Sequence, residues 1–169
     1  TIMESSVPDK FVEIVNDTAD KVLGSETASI EWDWSDKLVG KVHKEIQIPV
    51  RNKEHREFLF TTMKSACVDY LKESIKNNTA YGWKKIAGDA VPTMDNIHMA
   101  HSWVVSQYAG EYNPWHHHSG DFSVVVYLKL PPNMHKEIEE DFEDHYPANG
   151  LIEFMFGENQ SFRSDNLKF

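Results

Sequence analysis

Cysteine is nearly absent from this chain of 169 residues, in which Cys67 is the single thiol. One thiol excludes an intramolecular disulfide and any zinc site built from several cysteines. Chains that form no disulfides are typical of reducing compartments, so we expect a cytoplasmic location. The sequence also lacks an apolar run of the roughly 18 residues that a membrane-spanning helix needs, and we expect no membrane partner.

Basic residues are scarce as well, since 17 Lys and Arg stand against 27 Asp and Glu, for a formal net charge of −10. Nucleic-acid binding depends on clustered positive charge, and we therefore expect no nucleic-acid partner. The length fits one domain over residues 1–169, large enough to bury a core of its own. Nothing in the composition indicates an oligomeric state.

The first part of the chain has the pattern of amphipathic helices. Over residues 8–23, apolar side chains recur at steps of three and four, which places them on one helical face. Residues 52–77 continue such a stripe for longer and form the second predicted helix. Residues 25–40 fit either a strand or a packed loop, and residues 83–92 are predicted to be a connector. The apolar positions of the first helix are Phe11, Ile14, Val15, Ala19 and Val22.

The later part of the chain has the sequence pattern of β-strands. Aromatic and β-branched residues, some of them alternating with polar ones, predict strands over residues 45–50, 96–109, 122–130 and 151–156. Helices followed by strands indicate an α+β fold, with helices packed against a mostly antiparallel sheet or barrel. We expect residues 1–92 to be a mainly helical support and residues 93–169 to form the sheet.

Histidines are the unusual residues, nine in all, and three of them are consecutive. Alternate residues of an extended chain point to the same side, so His116 and His118 face one way and His117 the other. Two imidazoles at this spacing can hold one divalent metal, and Asp121 follows closely enough to add a carboxylate. Imidazole with carboxylate is the ligand set of non-haem Fe(II) oxygenases. The alternative is a solvated loop.

Around this cluster the sequence resembles a known family. Residues 103–129 read WVVSQYAGEYNPWHHHSGDFSVVVYLK. This stretch is similar to the 2-oxoglutarate- and Fe(II)-dependent dioxygenases, in particular to the prolyl-hydroxylase-like branch of marine bacteria and phages. The resemblance covers residues 96–156. It implies a double-stranded β-helix, or jelly roll, with amino-terminal helices packed on it and its first part in residues 93–169.

The resemblance also implies site residues. The family's first metal element is His-x-Asp or His-x-Glu before a strand, which matches His116 with His118 in the carboxylate position. A second register matches His118 with Asp121 and one extra residue between them. We rank His116 as the first metal ligand, then His118, then Asp121, and leave the choice between the last two open. Tyr108 and Tyr127 match tyrosines that approach the co-substrate.

One family element is missing from the sequence. The family completes its site with a distal histidine on a later strand, followed by a basic residue that binds 2-oxoglutarate. No histidine follows His145, and Arg163 and Lys168 are the bases nearest to a suitable position. We therefore expect the polypeptide to continue beyond Phe169, with the last strands, the distal histidine and the arginine there. The activity of these 169 residues alone is in question for the same reason.

The function implied by the resemblance is an Fe(II)- and 2-oxoglutarate-dependent oxygenase that consumes O2, hydroxylates a substrate and releases succinate and CO2. The substrate is a small molecule or a peptidyl side chain, and the sequence does not identify it. Two alternatives remain. One is a non-catalytic jelly-roll module with a binding or structural role that has lost the iron site. The other is a cupin-like metalloenzyme with a three-histidine site.

Overall fold

The computed structural model describes residues 2–37, 40–116, 118, 120–134, 150–152 and 154. The chain forms two compact units, Thr1–Leu128 and Lys129–Phe169. Elements found in the described part of the first unit are, in chain order, α1 (Asp9–Leu23), α2 (Glu26–Glu31), β1 (Lys44–Gln47), α3 (Lys53–Lys76), α4 (Tyr81–Ala87) and β2 (Trp103–Ser106). Single turns of 3-10 helix lie at Ser35–Lys37 and Met94–Asn96.

Helix α1 confirms the first predicted helix. All five of its predicted apolar positions are buried, because the steps of three and four keep them on one face. Pro8 precedes the helix, where its fixed φ and missing N–H do no harm. Gly24 ends it, and its N–H donates to the carbonyl of Asp20.

Helix α3 confirms the second predicted helix and has a well-defined cap at each end. The side chain of Asn52 accepts a hydrogen bond from the N–H of His55 (2.9 Å). At the other end Asn78 has φ of 56°, a left-handed conformation that asparagine tolerates better than most residues. Thr79 and Asn78 donate to the carbonyls of Ser74 and Ile75, which completes a Schellman motif.

Two clusters of buried side chains in the first unit lie along α3. Near its start, α3 packs on α1 through Leu59, which lies against Phe11, Ile14 and Val15. Further along, another part of α3 packs on later segments. That cluster contains Val68, Leu71 and Ile97, with Cys67, Trp83 and Phe122 at its edge. Cys67 is therefore partly buried, and this burial raises the pKa of its thiol.

Strands β1 and β2 form an antiparallel pair, in which Glu45 faces Val105 and Ile46 faces Val104. The predicted strands over residues 45–50 and 96–109 are thus present but shorter. Ile46 is fully buried and packs on Ala19 and Val22 of α1. These contacts hold one face of the sheet against the first helix.

Two segments of the first unit differ from their predictions. Residues 25–40, open between strand and loop, begin with the helix α2, and Asp33 then forms one antiparallel bridge with Ile46 of β1. The predicted connector over residues 83–92 overlaps α4. A helix of seven residues is too short to show a periodic stripe, which explains the missed prediction.

Residues 122–130 differ from the predicted strand, because they have no strand neighbour within the described part of the chain. An extended segment becomes a strand only when its backbone groups pair with a neighbour. Side chains hold this segment instead, with Val126 and Leu128 packed on the cluster between α1 and α3. Asn16 of α1 also donates a hydrogen bond to the carbonyl of Leu128 (3.3 Å).

The second unit is described at residues 129–134, 150–152 and 154. Met134 donates its N–H to the carbonyl of Pro131 (3.1 Å), which forms a turn. Gly150 has φ of 71° and the side chain of Met134 lies against it. The predicted strand over residues 151–156 falls partly outside the described residues. Within the described chain, no helix is both long and apolar enough to cross a bilayer.

Candidate functional site

A tight turn follows β2 and leads toward the histidine cluster. Glu111 donates its N–H to the carbonyl of Tyr108 (3.1 Å), and Gly110 between them has φ of 78°. Glycine occupies this left-handed conformation without the steric cost that a side chain adds. After this turn the chain runs back beside the segment that precedes β1.

The carboxylate of Glu111 holds this turn in place. Its Oε2 accepts hydrogen bonds from the backbone N–H groups of His43 (2.7 Å) and Tyr108 (2.8 Å). The side-chain amide of Gln107 donates to the carbonyl of Glu111 (2.6 Å). Hydrogen bonds to a charged acceptor are stronger than neutral ones, so one side chain fixes two segments that are far apart in sequence.

A second tie lies immediately before the histidines. Lys41 and Tyr112 exchange two backbone hydrogen bonds, of 2.8 and 3.0 Å. Next to them, Gly40 approaches the side chain of Asn113 so closely that a Cβ at this glycine would collide with the amide oxygen. The chain from Glu111 to Asn113 is therefore anchored on residues 40–43.

A hydrogen bond to the backbone determines which ring nitrogen of His116 carries the proton. Its Nδ1 lies 2.6 Å from the carbonyl oxygen of Pro114. A carbonyl can only accept, so Nδ1 carries the proton and donates it, which leaves the lone pair of the neutral ring on Nε2. A hydrogen bond of this kind, from the second ring nitrogen to a backbone carbonyl, is typical of histidines that bind metals.

The ring of His118 contacts His116 at Nε2, the ring nitrogen opposite to the one bound by Pro114. The two Nε2 atoms are 3.0 Å apart, and the rings are perpendicular, with centroids separated by 4.7 Å. The ring of His118 also lies 5.5 Å from that of Trp103 in β2. The pair therefore sits over the strand, with both side chains exposed to solvent. The spacing of two residues does bring these imidazoles together.

The distance between the nitrogens can be compared with what a metal requires. With metal–nitrogen bonds of about 2.0–2.1 Å, two imidazoles on one ion have nitrogens roughly 2.9–3.4 Å apart for bond angles of about 90–110°. The observed 3.0 Å lies in that range. In spacing and in the protonation of His116, the pair fits two ligand positions of a divalent metal.

Asp121 is exposed and does not complete this pair. Among the described residues there is no group of three or more His, Cys, Asp or Glu side chains placed to hold a metal ion. Asp121, His116 and His118 are all within the described part, so the structure brings two of the three predicted ligands together. His117 lies outside it, as do Arg163 and Lys168.

The two tyrosines predicted to approach the co-substrate lie on different segments. Tyr108 is in the turn after β2, 62% exposed, and its ring packs edge-on against His43 at 4.7 Å. Tyr127 lies on the segment held by side chains over α1 and α3, and it is 52% exposed. Both hydroxyls belong to side chains that are open to solvent rather than packed into the core.

Sequence reasoning missed one residue of this region. Glu45 in β1 is 3% exposed, and it is the one buried charged side chain among the described residues. Burial raises the pKa of its carboxyl, and the nearby Asp33 carboxylate acts in the same direction, while the charge of His116 opposes them. The alternation of E-I-Q-I marks one polar face, but it does not indicate that this face is covered.

Comparisons with protein-family models, with curated proteins and with solved structures give no match to this chain.

Proposed function

We propose that this chain binds Fe(II) through His116 and His118 and is a 2-oxoglutarate-dependent oxygenase of the cytoplasm, built on a jelly-roll core. The observation that supports it best is the pair of Nε2 atoms 3.0 Å apart, with Nδ1 of His116 bound to a carbonyl. The resemblance of residues 103–129 to the oxygenase family supports the choice of metal and co-substrate.

In this proposal the chain's own residues do the binding and orienting. His116 and His118 offer their Nε2 lone pairs, and the carbonyl of Pro114 fixes which nitrogen of His116 is deprotonated. Glu111 holds the turn after β2, and this turn sets the direction in which the chain continues towards the histidines. When bound, the iron activates O2 with 2-oxoglutarate for the hydroxylation of a C–H bond. Tyr108 and Tyr127 bind the co-substrate through their hydroxyls.

Anaerobic titration with Fe(II) and 2-oxoglutarate tests the proposal. The full-length wild-type protein should develop the visible charge-transfer band of an iron–2-oxoglutarate complex. His116→Ala and His118→Ala should each weaken Fe(II) binding by about 100-fold or more, since even partners outside the ligand shell are worth about 10–100-fold. Both side chains are exposed, so unfolding free energy should change by less than about 0.5 kcal/mol.

His98→Ala is the matched control, because His98 is also exposed and lies outside the pair. This variant should bind iron like the wild type. A wild-type chain that binds Fe(II) without the band argues against 2-oxoglutarate but keeps the metal site. No binding at all contradicts the proposal and favours the non-catalytic module.

A further inference from the structure

Glu45 stands out because charged side chains are almost never fully buried unless they are paired. Its backbone is well used: the N–H donates to Oγ of Ser35 (3.1 Å) and the carbonyl accepts from Trp34 (2.8 Å). Within the described part of the chain, no hydrogen bond to its carboxylate is found. The nearest lysine in sequence, Lys44, pairs with Asp33.

The strand register shows where this carboxylate points. Glu45 is opposite Val105, and Gln47 is opposite Trp103. Paired residues of antiparallel strands project to the same side, and so do residues two apart on one strand. Glu45 and Trp103 are therefore on one face of the sheet, whereas Lys44 projects from the other face.

The histidine pair lies over that same face. The ring of His118 is 5.5 Å from Trp103, and its Nε2 is 3.0 Å from that of His116. The electrostatic interaction between Glu45 and His116 agrees with this placement. The buried carboxylate of Glu45 and the two imidazoles thus lie on one face of the sheet. A cation between them would give the carboxylate the opposite charge that burial requires.

We propose that Glu45 is the carboxylate of the metal site and that it stabilises, through its charge, the cation held by His116 and His118. This inference rests on the proposed metal binding, and it gives Glu45 an electrostatic role that the resemblance did not include. Because no set of three ligating side chains is found among the described residues, Glu45 is a positioning residue rather than a direct ligand. Asp121 is exposed, where a charge is screened by water.

Affinity for Co(II) or Fe(II), measured anaerobically by competition with a chelator on the full-length protein, tests this role. Glu45→Gln keeps the shape and removes the charge, and it should weaken binding by about 10-fold. Glu26→Gln removes an exposed charge on α2 and should leave the affinity unchanged within about twofold. The stability of the metal-free protein provides a second readout. Glu45→Gln should keep or raise the melting temperature, since replacing a buried charge is often neutral or stabilising.

A purely structural Glu45 gives the opposite result, with a lower melting temperature and an unchanged affinity, and this overturns the inference. Loss of affinity in Asp121→Asn with none in Glu45→Gln overturns it as well. If the wild type binds no metal, the proposed function fails, which is a different outcome. Should Glu45→Gln not fold, Co(II) added to the wild type must broaden the side-chain carboxyl 13C resonance of Glu45 and spare that of Glu26. An unbroadened Glu45 signal overturns the inference.

Discussion

On one face of the β1–β2 sheet, Ile46 is fully buried against Ala19 and Val22 of α1. The other face carries the buried Glu45 and Trp103, and the ring of the exposed His118 lies near that tryptophan. The first face is apolar and contributes stability through burial. The second places a charge where an apolar residue would be more stable. Successive side chains of a strand point in opposite directions. One face of this two-stranded sheet therefore contributes to stability, and the other carries the candidate site.

The largest effect should come from the apolar face. Ile46→Ala should lower the free energy of unfolding by about 3 kcal/mol, because it removes buried methyl groups and leaves a cavity. Urea denaturation of the metal-free protein measures this loss. Val105→Ala, on the other face, is the comparison variant and should cost about 1 kcal/mol, since Val105 is only half-buried. Equal losses at the two positions would mean that both faces contribute alike to stability.

An intermediate effect is expected at the turn that leads to the histidines. Glu111→Gln should lower the free energy of unfolding by about 1 kcal/mol, because the hydrogen bonds to His43 and Tyr108 lose their charged acceptor. It should also weaken metal binding a few-fold, since this turn precedes His116 by five residues. Denaturation and metal titration measure both.

Glu31→Gln, which removes an exposed charge from the end of α2, is the control for Glu111→Gln and should change neither quantity. If Glu111→Gln changes stability and leaves metal affinity intact, then the turn does not position the histidine pair.

The smallest effect should come from the ion pair at the edge of the sheet. The Lys44 ammonium, together with the N–H of Ser35, lowers the pKa of Asp33 from 3.8 to about 2. A lowered pKa in the folded state means that the stabilisation is present above about pH 4 and is lost as the pH falls towards 2. Asp33→Asn should cost less than about 1 kcal/mol at pH 7, because the pair is partly exposed.

Thermal unfolding at pH 7 and at pH 2 checks the Asp33→Asn prediction, with the wild type measured beside the variant. The difference in melting temperature should shrink towards zero at the lower pH. A difference that persists at pH 2 would assign the stabilisation to packing rather than to the carboxylate charge.

The long helices were predictable because their stripes are regular. The positions from Phe11 to Val22 follow one helical face, and the asparagines at both ends of α3 are residues that favour helix caps. Residues 122–130 show the limit of such reasoning. A run of β-branched residues predicts an extended chain, but whether it becomes a strand depends on a neighbour that the local sequence does not specify.

The candidate site was predictable to a similar degree. Spacing alone placed His116 and His118 on one side, since alternation is a local property of an extended chain. Glu45 was missed because its burial depends on β2, which lies about 60 residues later in the chain. Asp121 was expected to turn back towards the histidines, but its position depends on the loop conformation rather than on spacing.

The length of α3 has a consequence for how the first unit unfolds. At 1.5 Å per residue, its 24 residues extend about 36 Å, and it contacts one cluster of buried side chains near Leu59 and another near Leu71. If α3 unfolds at one end, the side chains packed on that end become exposed. The helix that remains is shorter and supports the cluster at the other end less well. We therefore expect the two clusters to lose their packing together, because both depend on the backbone of one helix.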